Sequence, residues 1–147
     1  MIKVKRIDHV ALAVANRDTT AGDLSALFGL AAGARETVAA QMTDVAFLHA
    51  GGATDGDTAL EICAPAGDGA LARFLAKRGP GLHHVCFEVE DLRGTLATLK
   101  AAGVRLIDET PRPGARGHLV AFLHPAATGG VLFELCEPAP SHTGSAA

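Results

Sequence analysis

The string VAFLH occurs twice, at residues 45–49 and 120–124, and the two copies lie 75 positions apart in a chain of 147 residues. A second pair of related strings, IDHVALAV (7–14) and LHHVCFEV (82–89), has the same offset of 75. Landmarks that recur at one spacing and in one order are typical of an internal duplication. The sequence therefore predicts two halves of similar structure.

A helix is predicted after the opening strand of each half, at residues 17–30 and 91–102. Glycines follow both segments, and the second segment carries leucines at spacings of four and three, which is the period of one helix face. Asp91 is placed to cap the second helix, because its side chain can accept from the free N–H groups of the first turn. A further helix is predicted at residues 68–78, between the two halves.

Three more strands are predicted after the helix of each half. A short strand is expected at 34–40 and its counterpart at 104–108, and the VAFLH strands follow them. The last strands contain LEICAP (60–65) and FELCEP (133–138), which are related strings at an offset of 73. Each half therefore predicts a β-α-β-β-β unit. If two such units lie edge to edge, the strand edges at their junction pair with each other. The combined sheet can then curve around a shared cleft.

The predicted fold class is α+β, with two tandem βαβββ modules that form a curved mixed sheet around a metal cleft. One domain is expected over residues 1–137. Module 1 covers about 4–65, the linking helix about 68–78, and module 2 about 81–137. Residues 138–147 are rich in Pro, Ser and Ala, lack apolar periodicity, and are predicted to be a disordered tail.

Strand alternation brings two histidines and two glutamates to one face of the predicted sheet. Successive side chains of a strand point to opposite faces, so His9, His84, Glu61 and Glu134 share the face with small neighbours. The same alternation turns His83 to the other face. Polar groups in mid-strand are costly without partners, and a divalent cation would satisfy all four. Imidazole nitrogens and carboxylate oxygens suit several divalent transition metals.

The composition bears on the class of partner. A formal net charge of −3 and a pI near 6.1, with no basic stripe, argue against nucleic acid as the main partner. The N-terminal apolar run is too short for a membrane span and lacks a signal-peptide cleavage pattern, so we expect a soluble cytoplasmic protein that does not bind membranes. Cys63, Cys86 and Cys136 form no CxxC pair and are expected to be reduced thiols.

Several strings resemble those of the vicinal oxygen chelate superfamily, and within it those of the methylmalonyl-CoA epimerases. They are IDHVALAV (7–14), GLHHVCFEV (81–89), FLHP (122–125) and TGGVLFEL (128–135). The resemblance extends from Ile7 to Glu137, almost the whole chain. It implies the glyoxalase/vicinal oxygen chelate fold.

The resemblance implies inversion at C2 of methylmalonyl-CoA by a 1,1-proton transfer. It assigns His9, His84 and Glu134 as ligands of a divalent metal, with Glu61 at the fourth position, where some epimerases have Gln. Co²⁺ is the metal that the resemblance favours, and Zn²⁺, Ni²⁺ and Mn²⁺ are the alternatives. Such a metal would stabilise the enolate that forms when the C2 proton leaves.

Epimerisation needs proton-transfer groups on two faces of the reacting carbon. Glu134 is one candidate, and Glu61 is the candidate for the second. Cleft-facing alternatives to Glu61 are His118, Gln41 and Glu88. Val45 stands where some epimerases have a Glu proposed as a base, and valine cannot transfer a proton. The second base is therefore left open by the sequence.

The loop PRPGARGH (111–118) is the candidate contact for an acyl-CoA substrate. Arg112 and Arg116 could hold the anionic CoA tail, and His118 and Gln41 are further candidate substrate contacts. An exposed basic loop without a ligand is the alternative. The resemblance also implies a homodimer.

Two other functions are compatible with the same pattern. A glyoxalase I-type lactoylglutathione lyase uses a similar set of histidines and carboxylates. A resistance or sequestering protein of this fold binds a small molecule without turnover, and such proteins usually lack the metal ligands. The intact set of four side chains therefore favours an enzyme.

Overall fold

The computed structural model describes residues 2–51 and 56–140, which contain eight strands and three α-helices. The strands are β1 (Val4–Ala13), β2 (Ala31–Val38), β3 (Thr43–His49), β4 (Ala59–Pro65), β5 (Gly81–Val89), β6 (Arg112–Pro113), β7 (Leu119–Phe122) and β8 (Phe133–Glu137). The helices are α1 (Arg17–Phe28), α2 (Ala70–Arg78) and α3 (Leu92–Ala101). Short 3₁₀ turns lie at Ala39–Gln41, Ala115–Gly117 and Pro125–Ala127.

All eight strands form one curled mixed sheet in the order β2-β3-β4-β1-β5-β8-β7-β6. In each half the opening strand pairs in parallel with the last strand, β1 with β4 and β5 with β8. The halves join through the antiparallel pair β1 and β5 at the centre of the sheet. The two modules thus have the same internal order, and the predicted fold class is confirmed.

The strand predicted at residues 104–108 is wrong. Only Leu106 pairs there, in an isolated bridge with Leu123, and the strand next to β7 is the two-residue β6. The ladder fails because the N–H groups of Ile107 and Asp108 both donate to one carbonyl, that of Phe122. The Asp108 carboxylate then accepts the N–H of Phe122 at 2.9 Å, in place of a backbone partner.

Side-chain caps begin two of the helices. Asn16 accepts the N–H of Thr19 at the start of α1, and Asp91 accepts the N–H of Gly94 at the start of α3. The first helix ends at Phe28, two residues before its predicted end, because Gly29 takes a left-handed conformation with φ of 66°.

Replacing Asp91 with alanine should lower the free energy of unfolding by about 1 kcal/mol, because the Gly94 N–H loses its acceptor. Asp91→Asn keeps an acceptor at the same place and should stay close to the wild type. Urea unfolding of chelator-treated protein measures the free energy of unfolding of both variants and of the wild type. Equal losses in the two variants would contradict the capping role.

Alternation along the strands separates a helix-covered face from a cleft face. The helix-side residues of module 1 are Ala21, Ala46, Leu48 and Ile62. Those of module 2 are Val89, Leu92, Leu96, Ala121, Leu123 and Leu135. On the cleft face, the small side chains of Ala11, Ala13, Ala59 and Cys63 leave room above the central strands. Helix α2 packs on this second face through Leu71 and bounds the cleft.

The last strand ends at Glu137, where the predicted domain also ends. Residues 138–140 follow without regular structure, and the rest of the predicted tail, 141–147, lies outside the described residues. The division into two modules and a linking helix stays a proposal about domain organisation. Within the described ranges, no helix has both the length and the hydropathy needed to cross a membrane.

Candidate metal centre and active site

Four side chains converge on the cleft face at the centre of the sheet, and we call them the quartet: His9, Glu61, His84 and Glu134. The Nε2 atoms of His9 and His84 are 3.2 Å apart. His9 Nε2 also lies 3.4 Å from Glu134 Oε1 and 3.6 Å from Glu61 Oε2. His84 Nε2 is 3.9 Å from each of the two carboxylates. Each of the two glutamates that the sequence singled out therefore lies within 4 Å of both histidines.

Strand pairing explains why residues so far apart in sequence meet. The histidines lie on the central strands β1 and β5, and the glutamates lie on their parallel neighbours β4 and β8. Ala11 on β1 pairs with His84 on β5 and with Glu61 on β4. Only the methyl group of Ala11 therefore stands between these two longer side chains on the cleft face. Because Ala11 is fully buried and small, the longer side chains around it can turn toward one point.

The quartet fits a divalent cation. Its members are only 3% to 6% exposed, and two carboxylates at such depth are costly unless a cation compensates them. Donor atoms that share an ion at about 2.0–2.2 Å lie roughly 3–3.5 Å from one another. His9, His84 and Glu134 each offer a donor atom within 4.8 Å of the others'. Glu61 completes the set, with one oxygen directed at each histidine.

Two β-bulges change the orientation of the residues before the histidines. The register between β1 and β5 shifts between Ile7 and His9 and again between Ala11 and Leu12, opposite His83. A bulge puts two consecutive side chains on one side of a strand. Asp8 Oδ2 therefore lies 2.6 Å from His9 Nδ1, and His83 Nδ1 lies 2.8 Å from His84 Nδ1. The prediction that His83 points away is wrong.

The surroundings give the two histidines opposite charge preferences. Burial opposes a charge on His9, but the carboxylates of Glu61, Asp8 and Glu134 outweigh it and raise the pKa of His9 to about 10. Burial lowers the pKa of His84 to about 3, although Glu134 counteracts it in part. The imidazole of the second module is thus held neutral, which is the form that binds a metal.

The two carboxylates of the quartet also differ. Burial raises the pKa of Glu61. Burial acts on Glu134 in the same direction, but its hydrogen bond with His9 and its electrostatic interactions with His84 and His9 outweigh burial and lower the pKa of Glu134. The carboxylate of β8 is therefore the more firmly ionised of the two.

A cavity of about 270 Å³ opens beside the quartet, against Glu61 and His84. Its polar lining includes Gln41, His83 and Arg112. Apolar side chains at its wall include Met42, Ile107 and Leu132. A separate void of about 10 Å³ lies against His9, Glu61 and Glu134. Since Glu61 borders both spaces, it can reach a molecule bound in the larger one.

The candidate substrate contacts separate into two groups. Gln41 and Arg112 line the larger cavity, and the Arg112 Nε is buried without a hydrogen-bond partner among the described residues. The same Nε lies 3.4 Å from Asp108 Oδ2, which is the distance of an ion pair. The guanidinium lies over the ring of Phe122. Of the two spaces, His118 and Arg116 line the small void and not the larger cavity. The guanidinium of Arg116 also donates a hydrogen bond to the Asp8 carboxylate. Their placement favours a supporting role over the predicted substrate contact.

Among the other candidate bases, Glu88 is already paired. Its carboxylate lies 2.7 Å from Arg6 and 3.5 Å from Lys5. Val45 is buried and apolar at the edge of the small void. Of the open alternatives to Glu61, only Gln41 lines the larger cavity, and its amide can donate or accept hydrogen bonds but cannot take up a proton.

Asp8, which no pattern in the sequence singled out, is fully buried and contacts His9 directly. The duplication contains a partial signal, because the offset of 75 pairs Asp8 with His83 just as it pairs His9 with His84. Ideal alternation turns both residues away from the cleft, so the signal is lost without the bulges.

Known proteins resemble this chain over nearly its full length. The sequence model of the Glyoxalase/Bleomycin resistance protein/Dioxygenase superfamily matches residues 8–122. The ethylmalonyl-CoA/methylmalonyl-CoA epimerase of Cereibacter sphaeroides is 36% identical over 135 residues, covering 90% of this chain and 97% of the relative. The crystal structure of methylmalonyl-CoA epimerase from Mycobacterium tuberculosis has a TM-score of 0.85 at 36% identity, with 93% and 90% of the two chains covered. A methylmalonyl-CoA epimerase in complex with methylmalonyl-CoA and NH4+ gives 0.87 at 33% identity, with 94% and 97% covered.

Proposed function

The chain belongs to the Glyoxalase/Bleomycin resistance protein/Dioxygenase superfamily, and on this premise we propose that it is a metal-dependent epimerase of methylmalonyl-CoA. It would interconvert the (2R) and (2S) thioesters by a 1,1-proton transfer. The observation that carries the proposal is the buried quartet with two carboxylates beside a cavity. The similar proteins described as epimerases support this choice among the reactions of the superfamily.

The metal would be held by the quartet, with His9, His84, Glu61 and Glu134 as its protein ligands. We propose Co²⁺, which the family resemblance favours over Zn²⁺, Ni²⁺ and Mn²⁺. When bound, the cation supplies positive charge that stabilises the negative charge developing on the substrate as its C2 proton leaves. The neutral His84 and the ionised Glu134 have the protonation states that a ligand needs, whereas His9, with its raised pKa, would release a proton when the cation binds.

The two carboxylates are our candidates for the proton transfers. Glu61 comes from β4 of the first module and Glu134 from β8 of the second, so pseudo-symmetry places them on different strands around one histidine pair. Inversion requires a proton to leave one face of C2 and to arrive at the other. We therefore assign one carboxylate to each face of C2, Glu61 to one and Glu134 to the other.

The cavity suits the acyl end of an acyl-CoA. At about 270 Å³, it is slightly smaller than the usual small-molecule pocket of about 300–1,000 Å³, which fits the short acyl group and not the whole of an acyl-CoA. Gln41 and Arg112 offer an amide and a guanidinium for the polar acyl group, and the apolar wall suits the thioester chain. We further propose a homodimer and a cytoplasmic location, as the family resemblance implies.

The proposal predicts metal-dependent exchange at C2. Protein loaded with Co²⁺ should introduce deuterium from D₂O at C2 of methylmalonyl-CoA and invert its configuration, whereas chelator-treated protein should do neither. ¹H NMR measures the exchange, and chiral analysis of the thioester measures the inversion. Turnover only of the methylglyoxal–thiol hemithioacetal would contradict the epimerase and indicate a glyoxalase I-type isomerase. Absence of bound metal would favour a binding protein without turnover.

A further inference from the structure

We infer that Arg116 is a positioning residue that fixes the ring of His9 through Asp8, an inference that rests on the metal centre of the proposed function. Arg116 belongs to the second module, in the 3₁₀ turn before β7. Its guanidinium Nη2 donates to Asp8 Oδ2 in β1 of the first module. One module therefore supplies the support for a ligand of the other.

Asp8 determines which nitrogen of His9 faces the quartet. An ionised carboxylate can only accept hydrogen bonds, so His9 Nδ1 carries the hydrogen in its 2.6 Å contact with Asp8. Nε2 then lies on the side of Glu61 and Glu134, where a bound cation takes the place of its proton. A carboxylate behind a metal-binding histidine fixes its tautomer and ring orientation.

Arg116 contacts a second group that touches His9. Its guanidinium carbon lies 4.1 Å from the centre of the Phe47 ring, a cation–π contact. The Phe47 ring in turn packs edge-on against His9, with centroids 5.6 Å apart. The guanidinium of Arg116 thus contacts both the aromatic ring beside His9 and the carboxylate behind it, whose other oxygen accepts a hydrogen bond from Arg6 at 2.9 Å.

The turn that carries Arg116 is fastened to the first module. The Arg116 N–H donates to Glu36 Oε1 of β2 at 2.6 Å. Arg116 has a φ of 59°, a left-handed conformation that is uncommon for residues other than glycine. Close packing shapes the same loop, since a Cβ at Gly114 would lie 2.5 Å from Val120. These contacts hold the guanidinium in a fixed place over Asp8.

The histidine of the second module has a different support. His84 Nδ1 meets His83 Nδ1 at 2.8 Å, and the His83 ring packs against Phe74. The link from Arg116 therefore acts on His9 and leaves the support of His84 in place. Loss of Arg116 should weaken metal binding without abolishing it.

The test measures Co²⁺ affinity and the visible spectrum of bound Co²⁺ without substrate. Arg116→Met should bind Co²⁺ about 10-fold more weakly, near the lower limit of the effect of outer-shell partners, and its absorption bands should shift. Arg93→Met, at an exposed position of α3, is the matched control and should match the wild type. Thermal unfolding of the metal-free proteins shows whether both variants fold. If Arg116→Met does not fold, Arg116→Gln provides the same comparison.

A double-mutant cycle tests whether Arg116 acts through Asp8. In the background of Asp8→Asn, which removes the charge but keeps an acceptor for His9, Arg116→Met should cause little further loss of affinity. If the double variant lost Co²⁺ affinity by the product of the two single losses, the inference would be overturned. A folded Arg116→Met with unchanged Co²⁺ affinity and an unchanged spectrum would overturn it as well. Wild-type protein that binds no Co²⁺ would contradict the metal centre and, with it, this inference. If the wild-type protein bound Co²⁺ but did not epimerise methylmalonyl-CoA, the proposed function would be contradicted, whereas the metal centre and the role of Arg116 would stand.

Discussion

Glu134→Gln is expected to lower kcat/KM for epimerisation by about 10³-fold or more, within the range that a general acid–base group contributes together with a metal ligand. Glutamine has nearly the same shape and can still offer an oxygen to a cation, but it cannot take up a proton. The pKa of Glu134 is held low by its contacts with His9 and His84. The substitution therefore removes a carboxylate that is ionised at the centre of the quartet.

The measurement is the initial rate of inversion of each epimer, with protein loaded with Co²⁺. Glu90→Gln, at an exposed position directly after β5, makes the same chemical change away from the site and should keep the wild-type rate. Co²⁺ content determined beside the rate separates loss of the metal from loss of the base. A rate for metal-loaded Glu134→Gln within a few-fold of the wild type would contradict the assigned role.

Glu61→Gln should separate exchange from inversion. If Glu61 serves one face of C2 and Glu134 the other, the variant should lose inversion by about 10²–10³-fold. One epimer should still exchange its C2 proton with solvent, because the remaining carboxylate can remove and return a proton on its own face. The position of Glu61 beside both spaces supports its access to the substrate.

Separate incubation of the (2R) and (2S) thioesters in D₂O, followed by ¹H NMR, measures the two half-reactions. The epimer that still exchanges in Glu61→Gln should be the one whose exchange is lost in Glu134→Gln. Equal loss of exchange from both epimers would show that Glu61 acts only as a metal ligand, and an unchanged rate of inversion would exclude Glu61 as a base. In the second case, an ordered water would have to be tested next as the second base, because the amide of Gln41 cannot take up a proton.

The quartet could be predicted because it depends on regular features. The offset of 75 pairs His9 with His84, and the offset of 73 pairs Glu61 with Glu134. Alternation of side chains is a local property of any strand, so the shared face followed from the sequence. The helix starts at Arg17 and next to Asp91 were also predictable, because capping depends on neighbouring residues.

The strand predicted at 104–108 shows where local reasoning fails. Its residues have the composition of a strand. Whether they form one depends on which of their N–H groups can bond to carbonyl groups of the neighbouring strand. The carbonyl of Phe122 accepts two N–H groups, and the Asp108 side chain replaces a backbone partner. Such competition between side-chain and backbone partners is settled only when the two segments meet.

The sequence alone determined the duplicated architecture and the residues that could hold a cation, because both follow from short-range periods repeated in each half. Tertiary structure alone decided how the cation site is supported. Asp8 and His83 turn toward the histidines only through bulges, which arise from the register between β1 and β5. Arg116 reaches Asp8 across 108 positions of the chain, and no local pattern encodes a contact that exists only after two modules have packed together.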